Sequence, residues 1–273
     1  MKSTRYLFGA LGVFLLVRNA AHAQVYAETT DVHMNNFTWT PASGSLAWTT
    51  PWQLEASVSA FNSGSGFASG YQSNVGPSAT ATASIATPVS TVSAGAQVDA
   101  SGSLLSLNTY SHSLIPNTVD FASTFTAATA VRQFEITGGT GAVAVTFSYY
   151  YFAHLAASLD PLNPGLTPVV DYSASMHVFG GGKDFENIVS NQKAAPGDFT
   201  FSGTSTATYL LQFNTPYSIT YIKDGESSAV PEPEKGAVIA AIGLLGWAAR
   251  SWTGKKQQGA RSTSINRSLG LPT

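Results

Sequence analysis

The chain has 273 residues, of which only 10% are charged, against about 25% in an average soluble domain; Gly, Ser, Thr and Ala take their place, so the surface is polar through hydroxyls and amides. Cysteine is absent, which excludes disulfides, thiolate metal sites and a cysteine nucleophile. The formal charge of −2 conceals an asymmetry: Gln24–Ala229 holds four basic and thirteen acidic residues, a difference of −9, which excludes binding nucleic acid through its phosphates, while the other nine basic residues flank apolar runs at the two ends and point to a membrane.

The N-terminus opens with Lys2 and Arg5, continues through an apolar stretch from Tyr6 to Val17, and reaches Ala21-His22-Ala23. A charged start, an apolar core and small residues at −3 and −1 define a secretory signal peptide, residues 1–23, cut after Ala23. Signal peptidase and the Sec translocon are the implied partners.

From residue 24 to 223 the dominant period is two, the spacing of a half-buried strand. In 142–153 (AVAVTFSYYYFA), Val143, Val145, Phe147, Tyr149 and Tyr151 share one face. Strands are also expected at 54–61, 79–87, 104–110, 119–126, 131–137, 169–179, 206–213 and 217–223. Gly138-Gly139-Thr140-Gly141 reads as a hairpin turn, and 214–216 as a connection. The segment 62–103 is so rich in Ser, Gly, Ala and Thr that it fits either small-residue strands or an ordered loop. Outside the two terminal apolar runs there is no amphipathic helix. The expected fold is all-β, an antiparallel β-sandwich or jelly-roll-like ectodomain. Residues 224–229 read as a linker.

Catalytic signals are sparse. No GxGxxG, GxxxxGK[ST], HExxH or GxSxG motif occurs, and the Gly-rich stretches read as turns. His33, His112, His154 and His177 are too far apart in sequence for a helical metal pair, although His154 and His177 could meet in space. In 180–187 (GGGKDFEN), Asp184, Glu186 and Asn187 read as a Gly-rich loop, which makes Asp184 and Glu186 weak calcium candidates. The scattered carboxylates mark no glycosidase pair. No cofactor and no enzymatic activity are expected; a secreted hydrolase is the remotest alternative. Rings are more telling. Trp39, Trp48 and Trp52 cluster near the start of the mature chain, and Tyr150 lies in a run of four aromatics. Exposed rings stack on sugar faces, so these four are candidate glycan contacts.

At the C-terminus, Gly236–Ala249 is a fourteen-residue run without charge. As a helix it spans roughly 21 Å, short of the ~30 Å hydrocarbon core. Lys235 and Arg250 can snorkel outward, and Trp247 and Trp252 suit the interface, so the run reads as a short transmembrane helix. Arg250, Lys255, Lys256, Arg261 and Arg267 follow without an acid, which keeps the C-terminus cytoplasmic. Just before the run stands Val230-Pro231-Glu232-Pro233, whose prolines hold Glu232 in an extended, readable segment.

These three parts in order, box 230–233, helix 236–249 and basic flank 250–256, resemble the sorting signal of PEP-CTERM proteins; 257–273 is polar and reads as a disordered tail. The resemblance rests on Pro231, Glu232, Pro233, Arg250 and the Gly243–Gly246 centre of the helix. It implies an exported protein of a Gram-negative bacterium, held in the inner membrane and then processed by exosortase, a membrane-embedded cysteine transpeptidase. The destination would be the cell surface or an extracellular polysaccharide matrix. The ectodomain would be a structural component there or, alternatively, a lectin-like carbohydrate-binding module contacting exopolysaccharide.

Overall fold

The computed structural model describes residues 25–87, 90–101, 104–115, 121–159 and 166–231. Residues 1–24, with the expected signal peptide and its Ala21 and Ala23, and residues 232–273, with Glu232, Pro233, the apolar run 236–249 and Arg250, lie outside them. Among the described residues every regular element is a strand, and no helix is long and apolar enough to cross a membrane. The described residues belong to one compact unit that ends at Pro231.

Thirteen strands form two antiparallel sheets, a β-sandwich. They are β1 (Val25–Pro41), β2 (Ser45–Trp48), β3 (Gln53–Asn62), β4 (Gly66–Asn74), β5 (Ser78–Ala86), β6 (Thr91–Ser101), β7 (Leu104–Ile115), β8 (Ala122–Thr137), β9 (Ala142–Ser158), β10 (Leu166–Gly180), β11 (Lys183–Lys193), β12 (Gly197–Gln212) and β13 (Tyr217–Pro231). The six-stranded sheet has the order β12-β9-β1-β7-β6-β5; the seven-stranded sheet has the order β11-β10-β13-β8-β3-β4, with β2 also on β8. β2 and β3 lie end to end along β8. Pro51 interrupts them, and Thr50 fills the gap by accepting from Arg132 Nε at 2.8 Å through its carbonyl.

The first and last described strands are both interior to their sheets. β13 pairs with β10 and β8 along nearly its whole length, and Asp224–Ala229 have partners on both sides. Residues 224–229 are therefore strand, not linker. Asp224 and Glu226 alternate outward while Gly225, Ser227 and Ala229 point in, and small inward residues disguise the period.

Other expectations are corrected in the same way. Residues 138–141 join no hairpin: β8 and β9 lie in different sheets, and the segment crosses between them. Gly138 (φ 89°) and Gly141 (φ 77°) supply left-handed backbone that other residues resist. Residues 122–126 of the first expected strand and the whole of 131–137 belong to a single strand, β8, whose Ala128 and Ala130 pack inward. Of the two readings of 62–103, small-residue strands is the one borne out: its described residues are mostly strand, forming β4, β5 and β6. The segment 180–187 is a tight hairpin, with its turn at Gly181-Gly182 and Asp184, Glu186 and Asn187 on β11.

The interior has two halves. One is aromatic: Trp48 packs against Trp39, Trp52 and Phe134, and Phe134 against Phe147 and Tyr217. The other is lined by hydroxyls. Thr29 and Ser111 are 2.7 Å apart, Thr126 donates to the Gly225 carbonyl at 2.9 Å, and Ser227 meets Ser113 of the opposite sheet at 3.1 Å. All of these side chains are buried, and their mutual bonds offset the desolvation that burial imposes.

Because β13 is interior, a chain stopped after Lys223 should lose cooperative thermal unfolding, whereas one stopped after Pro231 should keep it. Near-UV circular dichroism melts of the two truncations check this. Equal, sharp transitions would show that 224–231 is dispensable.

Candidate functional site

The outer face of the six-stranded sheet carries a groove of about 240 Å³ over β5, β6, β7 and β1. Its floor follows from register. Thr80, Gln97, Asn108 and His33 form one cross-strand row, and Thr82, Gly95 and Tyr110 form the next. Gly95 accounts for the pose of Tyr110: a Cβ there would lie 2.0 Å from the Tyr110 ring, so the ring lies against the glycine backbone while the side chain stays 45% exposed. A glycine inside a strand marks this kind of close approach.

β1 shapes the other wall. It is bulged between Thr29 and Val32 and again between Asn35 and Thr38, with Asp31 (φ 49°) and Asn36 (φ 53°) in left-handed backbone. A bulge re-aims the side chains around it. Here it exposes Asp31 beside the groove, and His33 Nδ1 donates to the Asp31 carbonyl at 3.1 Å. His33 stacks on Phe152 (5.1 Å between ring centres, 15° between planes) with Tyr150 6.0 Å away. Of the four rings proposed as glycan contacts, Tyr150 is thus on this face. Trp39, Trp48 and Trp52 are not: Trp52 is 8% exposed, Trp39 Nε1 donates to Tyr221 Oη at 2.9 Å, and the Arg132 guanidinium covers Trp48 at 4.5 Å. They are core, because a ring between two sheets buries far more apolar area than one outside.

Three of the histidines are paired with acids on the outer faces of the sheets. His112 is 3.6 Å from Glu28, His154 Nε2 is 2.6 Å from Asp198, and His177 is 3.2 Å from Glu186. His154 lies on β9 and His177 on β10, in different sheets with both side chains outward, so they do not meet. Asp184 and Glu186 sit opposite Phe179 and His177 on a regular ladder. Among the described residues no three His, Asp or Glu converge to hold a metal ion.

One charge is inside. Lys223 is fully buried, with Nζ donating to the Ser173 carbonyl at 2.9 Å and lying 4.3 Å from the centre of the Tyr172 ring. Burial pushes its ammonium down to about 7, against the pull of Asp224 and Asp171. On the outer side of the same sheet Asp171 faces Glu226. Desolvation and neighbouring carboxylates push Asp171 up to about 7 and Glu226 to about 8.

Comparison of the chain with protein-family models, curated proteins and solved structures finds no match.

The groove escaped the sequence because its residues are 31–110 in number yet adjacent only through strand pairing. The one local signal was Gly95 within an alternating run. The buried lysine yields a prediction. Between about pH 7 and the ordinary lysine value the folded chain binds fewer protons than the unfolded one, so this group makes stability rise with pH over that window, and its full cost is present below it. Asp171 and Glu226 act oppositely, holding protons longer when folded and losing that stabilisation as pH rises to about 7 and 8. Lys223→Met removes the cost of the buried ammonium and should therefore raise stability at pH 6. The gain over wild type should shrink towards pH 10, as urea titrations across that range would show. A destabilised variant at pH 6 would contradict the assignment.

Proposed function

We propose that the chain is an exported, non-enzymatic surface or matrix protein whose β-sandwich is a structural component and whose C-terminus is a sorting signal. Residues 1–23 direct it through the Sec translocon and are removed by signal peptidase. Residues 236–249 hold it in the inner membrane with a cytoplasmic C-terminus, and exosortase reads Pro231-Glu232-Pro233. Arg250 and the basic residues after it fix the orientation.

The observation that carries this reading is a coincidence of boundaries. The compact unit ends at Pro231, which closes β13 opposite Leu166 and is also the first proline of the box. Val230 and Pro231, the first two residues of the proposed box, are the last two of β13. Low charge and abundant hydroxyls suit a protein at work among hydrated polymers, and the groove favours glycan contact as a second role.

Expression in matched cells with and without exosortase tests the proposal by intact mass. The mature protein should lose its C-terminal segment only where the enzyme is present. Identical C-termini in both backgrounds would refute the sorting claim.

A further inference from the structure

The strands of the six-stranded sheet contain no Lys or Arg, although Glu28, Asp31, Asp99 and Asp198 lie among them. Glu28 and Asp198 are paired with His112 and His154, which leaves Asp31 at the groove and Asp99 bonded to Gln97; with no Lys or Arg in these strands the groove disfavours an acidic polymer or a phosphate. The groove offers amides, hydroxyls, one carboxylate and a flat ring. Gln97 Nε2 donates to Asp99 Oδ2 at 2.7 Å and Asn108 Nδ2 to Ser106 Oγ at 3.3 Å, which orients both amides. Each amide then retains a carbonyl acceptor and a second N–H.

We infer that this groove binds a neutral glycan chain, with one pyranose ring packed on Tyr110 and its hydroxyls shared among Gln97, Asn108 and Asp31. A pyranose presents an apolar C–H face and a rim of hydroxyls, which are donors and acceptors at once. The Tyr110 ring lying on Gly95 matches the face, and the mixed amide and carboxylate rim matches the hydroxyls. Asp31 accepts from hydroxyls that a uronate would crowd with a second negative charge.

Aromatic surface continues beyond the groove. Phe152 and Tyr150 on β9 are two strands from Tyr110 on β7, ~10 Å away across the sheet. His33, on the strand between them, stacks on Phe152. The track crosses the strands, so an extended oligosaccharide can engage several rings in succession. The site is built from residues 31–110 and 150–152 and holds whether or not the C-terminal signal is processed.

The test uses the full chain in detergent and calorimetric titration with neutral hexasaccharides of β-linked glucose, galactose and mannose, beside hexagalacturonate. At least one neutral hexasaccharide should bind, with hexagalacturonate at least about tenfold weaker. Tyr110→Ala should weaken binding about tenfold, the scale of one lost ring contact. Gly95→Ala should do the same while keeping the tyrosine, because the new Cβ lifts the ring from the sheet. Gln97→Ala, at an exposed position, should weaken it severalfold, and Tyr71→Ala on the opposite sheet should change nothing. Near-UV circular dichroism matched to wild type qualifies each variant. The inference is overturned if no neutral hexasaccharide binds, if hexagalacturonate binds as tightly, or if the natively folded groove variants bind like wild type.

Discussion

Tyr221 is the point at which the two sheets lock. It is completely buried in the middle of β13, and its ring touches Phe37, Tyr149 and Trp52. Its hydroxyl accepts the indole proton of Trp39 from the facing sheet. Burial pushes that phenol far above its ordinary value, so it stays a neutral hydrogen-bonding partner at any working pH. A second bond of the same kind joins Tyr149 Oη to the Ala174 carbonyl across the interior. Tyrosine serves here because its ring fills the apolar layer while its hydroxyl satisfies a buried donor or acceptor.

From that lock the rest of the molecule takes its order. Phe37 and Trp39 tie β1 to the aromatic half, while Thr29 joins the hydroxyl half. The bulge at Asp31 lies between Thr29 and the inward Val32 and Met34, so inner packing fixes where Asp31 and His33 emerge outside. The hydroxyl half needs small residues for another reason. A Cβ on Gly225 would lie 3.3 Å from Thr126 Oγ1 and 3.5 Å from Thr29 Oγ1, so larger side chains would push the sheets apart. Lys223 stands on β13 between Tyr221 and this half, its stem sharing the interior with Tyr172.

Apolar residues at every second position from Val143 to Tyr151 made β9 legible, although rings at 149–152 occupy both faces, and the inward face continues to Ala157. Much of β3, β7, β10 and β12 was legible on the same ground. β1 was not, since two bulges shift its phase. β6 hides its period in Ala, Ser and Gly, and Asp224 and Glu226 lend β13 the polarity of a linker. The tryptophans were misplaced because ring content says nothing about which face of a sheet a ring occupies. Tyr110, Gln97 and Asn108 sit on two strands and meet Asp31 on a third, so only register could assemble them.

The account joins an address to a surface. The C-terminal segment is the proposed means of delivery, and the outer face without Lys or Arg in its strands, with Tyr110 laid on Gly95, is the proposed means of engaging what lies there. A crystal structure of the chain grown with a bound neutral hexasaccharide tests this most directly. The account predicts a sugar ring packed on Tyr110 with hydroxyls within hydrogen-bonding distance of Gln97, Asn108 and Asp31. A sugar lodged elsewhere on the sandwich, with Tyr110 bare, would contradict it.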